Sequence, residues 1–435
     1  MPFVLQLIAS DFLLDLKRYA YRFLRFVKKE RPKADVFIAI DDPYSFLLLQ
    51  SLPMLSAKYD IDFRINVVVS LDPLMFPELE KWQDYAQRDC VLLAKHYHLE
   101  ELAFSNKTPE ALAKVISELL SLIRNNASFE QMLSLLQGFY SRPTVEKTPI
   151  MKVTSGVESI LALLSPSEIQ QVKESEQKLK HMGHYLPATI YFEGEWYWGV
   201  DRLHFLDERL STDSRIQPKH SKPVLAAPTF SLERTNHRFK HPIVFYYSAR
   251  SPYSYLGLEQ VVKLASHYKI ELIVKPVLPM VMRGLAVPNT KKIYIFKDTK
   301  REAKRLHIPY GKVADPLGKA VENCYALFQF AKDEGKEIEF LIAFGRAVNA
   351  NGVRGDTVKG MKQIAENAGI NWPDVNAKLK DRRWQEQEKQ NRAELEALGL
   401  WGVPCFQYNK HTYWGQDRLC LLEQAVLKDR TAYVS

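Results

Sequence analysis

The sequence predicts an α/β protein in which one domain occurs twice in tandem, each copy a small mixed sheet carrying a long helical insertion. Three observations carry this. "YWGVDRL" at 197–203 returns as "YWGQDRL" at 413–419, six of seven positions matching 216 residues apart. "DPYSFL" at 42–47 returns as "SPYSYL" at 251–256, 209 residues apart. The segments between these motifs also follow one order in both copies, which is the mark of duplicated domains.

Residues 1–32 precede the first copy and form an amphipathic helix, with Val4, Ile8, Phe12, Leu16, Tyr19, Phe23 and Phe26 on one stripe among basic residues. Two readings stand: the helix packs on a domain of its own chain, or it rests on an anionic membrane surface. The first copy, 33–209, opens on the apolar strand "ADVFIAI", continues through a turn and helix to "IDFRINVVV", and then enters a mostly helical region over roughly 77–180. A Pro-led hairpin, "PATIYFEGEWYWG", and a closing helix end it. Residues 210–241 mix Pro, Ser and scattered charge without a period and read as a linker. The second copy, 242–430, repeats the plan with "PIVFYYS", "IELIVKPVL", a helical region over roughly 288–397, "PCFQYNKHTYWG" and a closing helix.

Composition narrows the function classes. Apolar residues at 46% and charged residues at 26% fit a soluble globular chain. The net charge of +9 is spread rather than massed, so no nucleic-acid partner is expected and an anionic small ligand fits as well. Cys90, Cys324, Cys405 and Cys420 lie far apart, which argues against a disulfide framework or a cysteine metal site and for a reducing, cytoplasmic setting. No secretory leader and no bilayer-length apolar run is expected. His96, His98, His181 and His184 read as ordinary solvated histidines, and no metal site is expected.

The strand–turn–helix junction at Ser251-Pro252-Tyr253-Ser254 draws the functional question. Ser at N-cap with Pro at N1 is an ordinary helix start. A hydroxyl held there can also donate to a ligand, where unpaired amides and the helix dipole favour an anion. "SPYSYL", "GVPCF" and "YWGQDRL", in this order and at domain-scale spacing, resemble the 2-hydroxychromene-2-carboxylate isomerase and kappa-class glutathione transferase family, built on a DsbA-like thioredoxin fold. The resemblance covers 242–430 well and 33–209 more faintly. It implies two tandem thioredoxin-like domains of the DsbA/kappa type, each with a helical insertion.

The resemblance implies that glutathione is the cosubstrate and that Ser251 stabilises its thiolate. A free thiol ionises at about 8.5, and a hydroxyl donor with positive helix potential lowers that value. Val403-Pro404 resembles the family's cis-proline turn, whose backbone pairs with an extended peptide. Gln416 and Asp417 stand where the family binds the γ-glutamyl end of glutathione, and Lys291 matches a lysine near its glycine end, with Lys292 adjacent. Without a thiol at the turn, dithiol–disulfide exchange there is excluded. Cys405, beside the turn proline, is either a small buried residue or a thiol near the site. "MRGLAVPNTKK" is shorter than the family's loop, which leaves the second substrate, small and electrophilic or aromatic, unnamed. In the first copy Asp42 replaces the serine while Pro187, set opposite Pro404, and Asp201 survive, so this copy is expected to have kept the fold and lost the chemistry. The pair reads as an intramolecular pseudo-dimer. Two functions follow: a glutathione-dependent isomerase or transferase, or a non-catalytic thioredoxin-fold scaffold at a membrane surface.

Overall fold

The structure is a computed structural model that describes residues 10–70, 72–101, 108–140, 153–234 and 237–429. The described residues divide into two compact units, an N-terminal one of residues 15–227 and a C-terminal one of residues 228–429 with which residues 10–14 also group.

The N-terminal unit runs α1 (Asp11–Lys28), β1 (Lys33–Ile38), α2 (Pro43–Lys58), β2 (Asp62–Val67), α3 (Leu79–Tyr97), α4 (Pro109–Arg124), α5 (Phe129–Tyr140), α6 (Val153–Ala162), α7 (Pro166–His181), β3 (Thr189–Phe192), β4 (Glu195–Trp198) and α8 (Leu203–Ser211). The C-terminal unit runs β5 (Ile243–Tyr247), α9 (Pro252–Tyr268), β6 (Leu272–Pro276), α10 (Asn289–Arg305), α11 (Lys319–Asp333), α12 (Glu337–Asn349), α13 (Val358–Asn367), a short turn at Trp372–Val375, α14 (Arg383–Ala397), β7 (Cys405–Tyr408), β8 (His411–Trp414) and α15 (Leu419–Lys428). The sheets share one topology, β2-β1-β3-β4 and β6-β5-β7-β8. In each the first two strands are parallel and the hairpin joins antiparallel. A parallel pair needs a crossover, and α2 and α9 supply it.

The central strands are buried runs of β-branched and aromatic residues. Val36, Phe37 and Ile38 of β1 and Ile243 and Phe245 of β5 are fully covered. Phe245 stacks on Phe406 of β7 at 4.7 Å, which locks β5 to the strand that follows the proline turn. Caps fix the helix starts: Ser165 and Glu168 form a reciprocal capping box on α7, and Asp42 and Ser251 cap α2 and α9.

Residues 210–241, expected as a plain linker, are pinned at both ends by equivalent carboxylates. Asp207 of α8 accepts from the Tyr59 hydroxyl at 2.6 Å and from the Val224 amide at 3.2 Å. Glu423 of α15, 216 residues later, accepts from the Tyr268 hydroxyl at 2.8 Å and from the Ser231 and Leu232 amides, both at 2.7 Å. Periodicity cannot reveal such an anchor, because the linker contributes only backbone amides to it.

From Asp15 onward helix α1 packs on the N-terminal unit, but with its polar side. Arg18 donates to both carboxylate oxygens of Glu195, at 2.8 and 3.0 Å. Arg25 pairs with Asp213 at 2.7 Å and Glu193 at 3.1 Å. The apolar stripe faces solvent, and Phe12 is 74% exposed. Val4 and Ile8 lie outside the described residues. No described helix is long and apolar enough to cross a membrane.

Candidate functional site

Ser251 ends the turn after β5 and sits at the N-cap of α9 with extended backbone, φ −78° and ψ 116°. Its Oγ accepts from the Ser254 amide at 3.1 Å and donates to the Val403 carbonyl at 3.4 Å. The first bond is the cap. The second is long, so the hydroxyl proton is weakly engaged and open to a better acceptor. Cap and donor thus coexist in one half-buried side chain, as lone pair and proton allow.

The turn itself is held rigidly. Ser254 Oγ accepts from the Ser248 amide at 3.3 Å, and the Tyr325 hydroxyl of α11 accepts from the Ala249 amide while donating to Val277. Arg250 makes a bidentate pair with Asp315 at 2.7 and 2.8 Å.

Facing Ser251 is the Val403–Pro404 bond, which is cis. Gly257 explains how the two come together. A Cβ there would lie 2.9 Å from Phe406 Cζ, 3.7 Å from Pro404 Cβ and 3.6 Å from Gln416 Cβ. Only glycine lets the first turns of α9 press on the proline turn and on the 3-10 turn Gln416–Arg418 together. A helix-interior glycine costs about 1 kcal/mol relative to alanine, which is the signal in "SPYSYLG" that a close approach was required.

Gln416 corrects the expectation placed on it. Its side chain is 2% exposed; its oxygen accepts from Gln260 at 2.6 Å and its nitrogen donates to Glu302 at 3.2 Å. The amide oxygen and one of its two N–H donors are thus engaged within the protein. Asp417 is partly exposed, lies 3.5 Å from Arg418, and folds back over Gly415, where an added Cβ would meet its Oδ1 at 2.6 Å. Gly415 has φ +110°, so glycine is required there twice over.

The insertion supplies the site's remaining wall through α10. Tyr253 donates to Asp298 at 2.7 Å, and Asp298 pairs with Arg301. Glu302 pairs with Arg305 while holding Gln416. Lys291, Asp298 and Glu302 are separated by seven and four residues, so they share one helix face, the face that meets Tyr253 and Gln416. Lys291 is half-buried there, and withdrawal from water lowers its ammonium pKa to about 8. Lys292 points away and is exposed. Glu302, Asp298, Tyr253 and Tyr325 were not singled out from sequence, because nothing in a helical period says which face meets which loop.

Cys405 is fully buried, its Sγ set 3.0 Å from the Gly402 carbonyl, and burial pushes its thiol pKa well up. It is therefore an inert core residue. All four cysteines are buried. Among the described residues no cluster fit to hold a metal occurs.

The N-terminal copy departs at both halves of the site. Strand register places Thr189 where Cys405 stands, since each pairs with the hairpin tryptophan, Trp198 or Trp414. The Gly199 amide donates to the Ala188 carbonyl as the Gly415 amide donates to Pro404. The counterpart of Pro404 is therefore Ala188, with φ +54°, and not Pro187. The alignment by Pro187 was off by one because the first hairpin's approach is one residue longer. Asp201 is buried and accepts from the Tyr97 hydroxyl at 3.3 Å.

Asp42 caps α2 through the Ser45 amide at 3.1 Å and the Ser45 hydroxyl at 2.7 Å. Burial lifts its carboxyl to about 7 against the pull of Ser45, and Asp41, itself raised to about 6 by burial, adds to the rise. A carboxyl whose folded pKa exceeds its unfolded one loses stability as pH climbs between the two values, and the penalty is complete above the higher. Asn caps equally well without charge. Asp42→Asn is therefore expected to stabilise the N-terminal unit by about 1–2 kcal/mol near pH 8 and by much less near pH 5, as read by thermal unfolding. Equal effects at both pH values would disprove the buried-charge account.

Residues 242–427 match the DSBA-like thioredoxin domain family. No curated protein matches the chain. Among solved structures the chain is similar to a 2-hydroxychromene-2-carboxylate isomerase, with 22% identity over 43% of this chain and 94% of that one and a TM-score of 0.37. It is also similar to a probable DsbA oxidoreductase from Streptomyces coelicolor, with 17% identity over 45% and 94% of the two chains and a TM-score of 0.36. A cytosolic disulfide reductase, DsbM, from Pseudomonas aeruginosa shows 15% identity over 43% and 97%, with a TM-score of 0.31. The chain thus contains a DsbA-like thioredoxin domain over 242–427, and the repeated sheet topology makes the whole two thioredoxin-like domains in tandem.

Proposed function

We propose that the C-terminal domain binds glutathione with its sulfur at Ser251 and serves a glutathione-dependent isomerase or transferase acting on a small electrophilic or aromatic substrate. The observation that carries the reading is the convergence of the Ser251 hydroxyl and the Val403 carbonyl, 3.4 Å apart, beside the Gly257 contact with Pro404 and Gln416. Bound there, glutathione would supply a thiolate nucleophile that adds reversibly to a conjugated double bond, or stays on the electrophile it attacks. The chain's part is positional. Ser251 exchanges its long bond to Val403 for one to the sulfur anion, and the N-terminus of α9 adds positive potential. The Val403 backbone offers an edge for an extended peptide. Asp417, beside Arg418, is the carboxylate for the γ-glutamyl ammonium, and Lys291 the cation for the glycine carboxylate. A reducing cytoplasm, where glutathione is abundant, is the setting this reading requires.

The test is calorimetric titration with glutathione, wild type beside Ser251→Ala, with ultraviolet absorbance read for the thiolate. Wild type is expected to bind and to show the thiolate band; the alanine variant is expected to bind roughly tenfold more weakly and to lose the band. One observation favours the non-catalytic scaffold reading instead: the Gln416 amide is already spent on Gln260 and Glu302. Absence of glutathione binding by wild type would select that reading.

A further inference from the structure

We propose that α1 is a docking element that lays the protein on an anionic phospholipid surface, apolar face in the lipid interface. This is independent of the glutathione reading, since it rests on the other unit. A soluble amphipathic helix turns its apolar stripe to the core. Here the polar side is spent on the protein: Arg18 on Glu195, Arg25 on Glu193 and Asp213, and the Lys17 ammonium on the Gly194 carbonyl at 3.2 Å. No residue of α1 is buried. Leu16, Tyr19, Phe23, Leu24, Phe26 and Val27 are each more than half exposed. At 3.6 residues per turn they fill one continuous arc of about 160°. The Arg25 pairs, whose charged side chains are only 7–11% exposed, fix that arc outward.

A second copy of the helix is the rival occupant, and two features disfavour it. A paired seam is a narrow stripe, and this arc is too wide for one. Its borders are also basic, with Arg22 on one side and Lys17 and Lys28 on the other, so two copies would set like charges together. The same borders suit anionic headgroups. At the C-terminal end of α1 a surface pocket is lined by Arg25, Lys29 and Arg215 beside Phe26 and Val27, with Glu30 as its acidic member. The Arg215 guanidinium lies 3.9 Å over the Phe26 ring, which sets a cation at the edge of the apolar face. The chain's net charge of +9 acts in the same direction.

The test is flotation of the full chain with phosphatidylcholine vesicles, with and without phosphatidylglycerol. Wild type is expected to float with the anionic vesicles, and less as salt is raised. Leu16→Glu with Phe23→Glu, both exposed and so compatible with folding, is expected to weaken binding by roughly tenfold or more, with an unchanged melting curve. Arg215→Glu is expected to weaken binding to anionic vesicles only. Three results would overturn the proposal: wild type failing to float with anionic vesicles at low salt; the double variant floating like wild type; or a vesicle-independent dimer, seen by sedimentation, that the double variant abolishes.

Discussion

Asp207→Ala is expected to destabilise the N-terminal unit by about 3–5 kcal/mol, the cost of stripping one partner from a buried ion pair. Lys58 is 3% exposed and its Nζ lies 2.8 Å from Asp207 Oδ1. Alanine leaves that ammonium buried beside the Lys222 carbonyl, 2.9 Å away, removes the acceptor of the Val224 amide, and leaves the Tyr59 hydroxyl the backbone carbonyl of residue 207 at 3.0 Å. Asp207→Asn keeps one oxygen acceptor of the two and the side-chain volume, and is expected to cost less than alanine. Lys58→Met added to Asp207→Ala removes both charges and is expected to recover much of the loss, because the desolvation penalty of a lone buried cation disappears with the cation. Denaturant unfolding of the set is the measurement. A single-alanine cost below about 1 kcal/mol would show the pair to be solvated and the anchor unimportant. The corresponding anchor in the other copy, Glu423 with Tyr268, has exposed His267 where Lys58 stands. Glu423→Ala should therefore cost less than Asp207→Ala, since no buried cation is orphaned.

The two anchors also show what the sequence could and could not reveal. The tandem plan was legible because strand, turn, hairpin and closing helix each leave a local trace, and because "YWGVDRL" and "YWGQDRL" repeat at domain distance. The Ser251 cap was legible for the same reason: Ser-Pro before an apolar helix is a local signal. What local pattern does not carry is a partner from elsewhere in the chain. Gln416 reads as a donor until Glu302 of the insertion is found to hold it. Pro187 reads as the twin of Pro404 until strand pairing fixes the register at Ala188. The stripe on α1 reads as a packing face until Glu193, Glu195 and Asp213 claim its opposite side. Periodicity measures how a helix is divided, and electrostatic partners decide which half faces the protein. Lys291 and Lys292 are alike in sequence, and only the fold separates them: Lys291 is half-buried on the helix face that carries Asp298 and Glu302, and Lys292 is exposed.

Ser251→Asp is expected to leave the C-terminal domain folded and to reduce glutathione affinity by about 100-fold or more at neutral pH and above. The fold is kept because the N-terminal copy already shows the arrangement: Asp42 caps its helix through the Ser45 amide and hydroxyl, and Ser254 is the counterpart of Ser45. The affinity is lost because the change converts a donor into an anion. A carboxylate about 4 Å from a thiolate costs roughly 4 kcal/mol at an effective dielectric near 20, beyond the lost hydrogen bond. The loss should also depend on pH. Desolvation pushes the half-buried Asp42 carboxyl up to about 7, so an aspartate in the matching turn is expected to lose its charge below that value and the deficit to narrow. Alanine behaves differently, removing the cap at a cost of about 1 kcal/mol in stability while placing no charge beside the sulfur. Calorimetry over a pH series, with melting curves for both variants, separates a lost cap from a repelled thiolate. An aspartate variant that melts like wild type and still binds glutathione with wild-type affinity would mean that the sulfur does not lie at this hydroxyl.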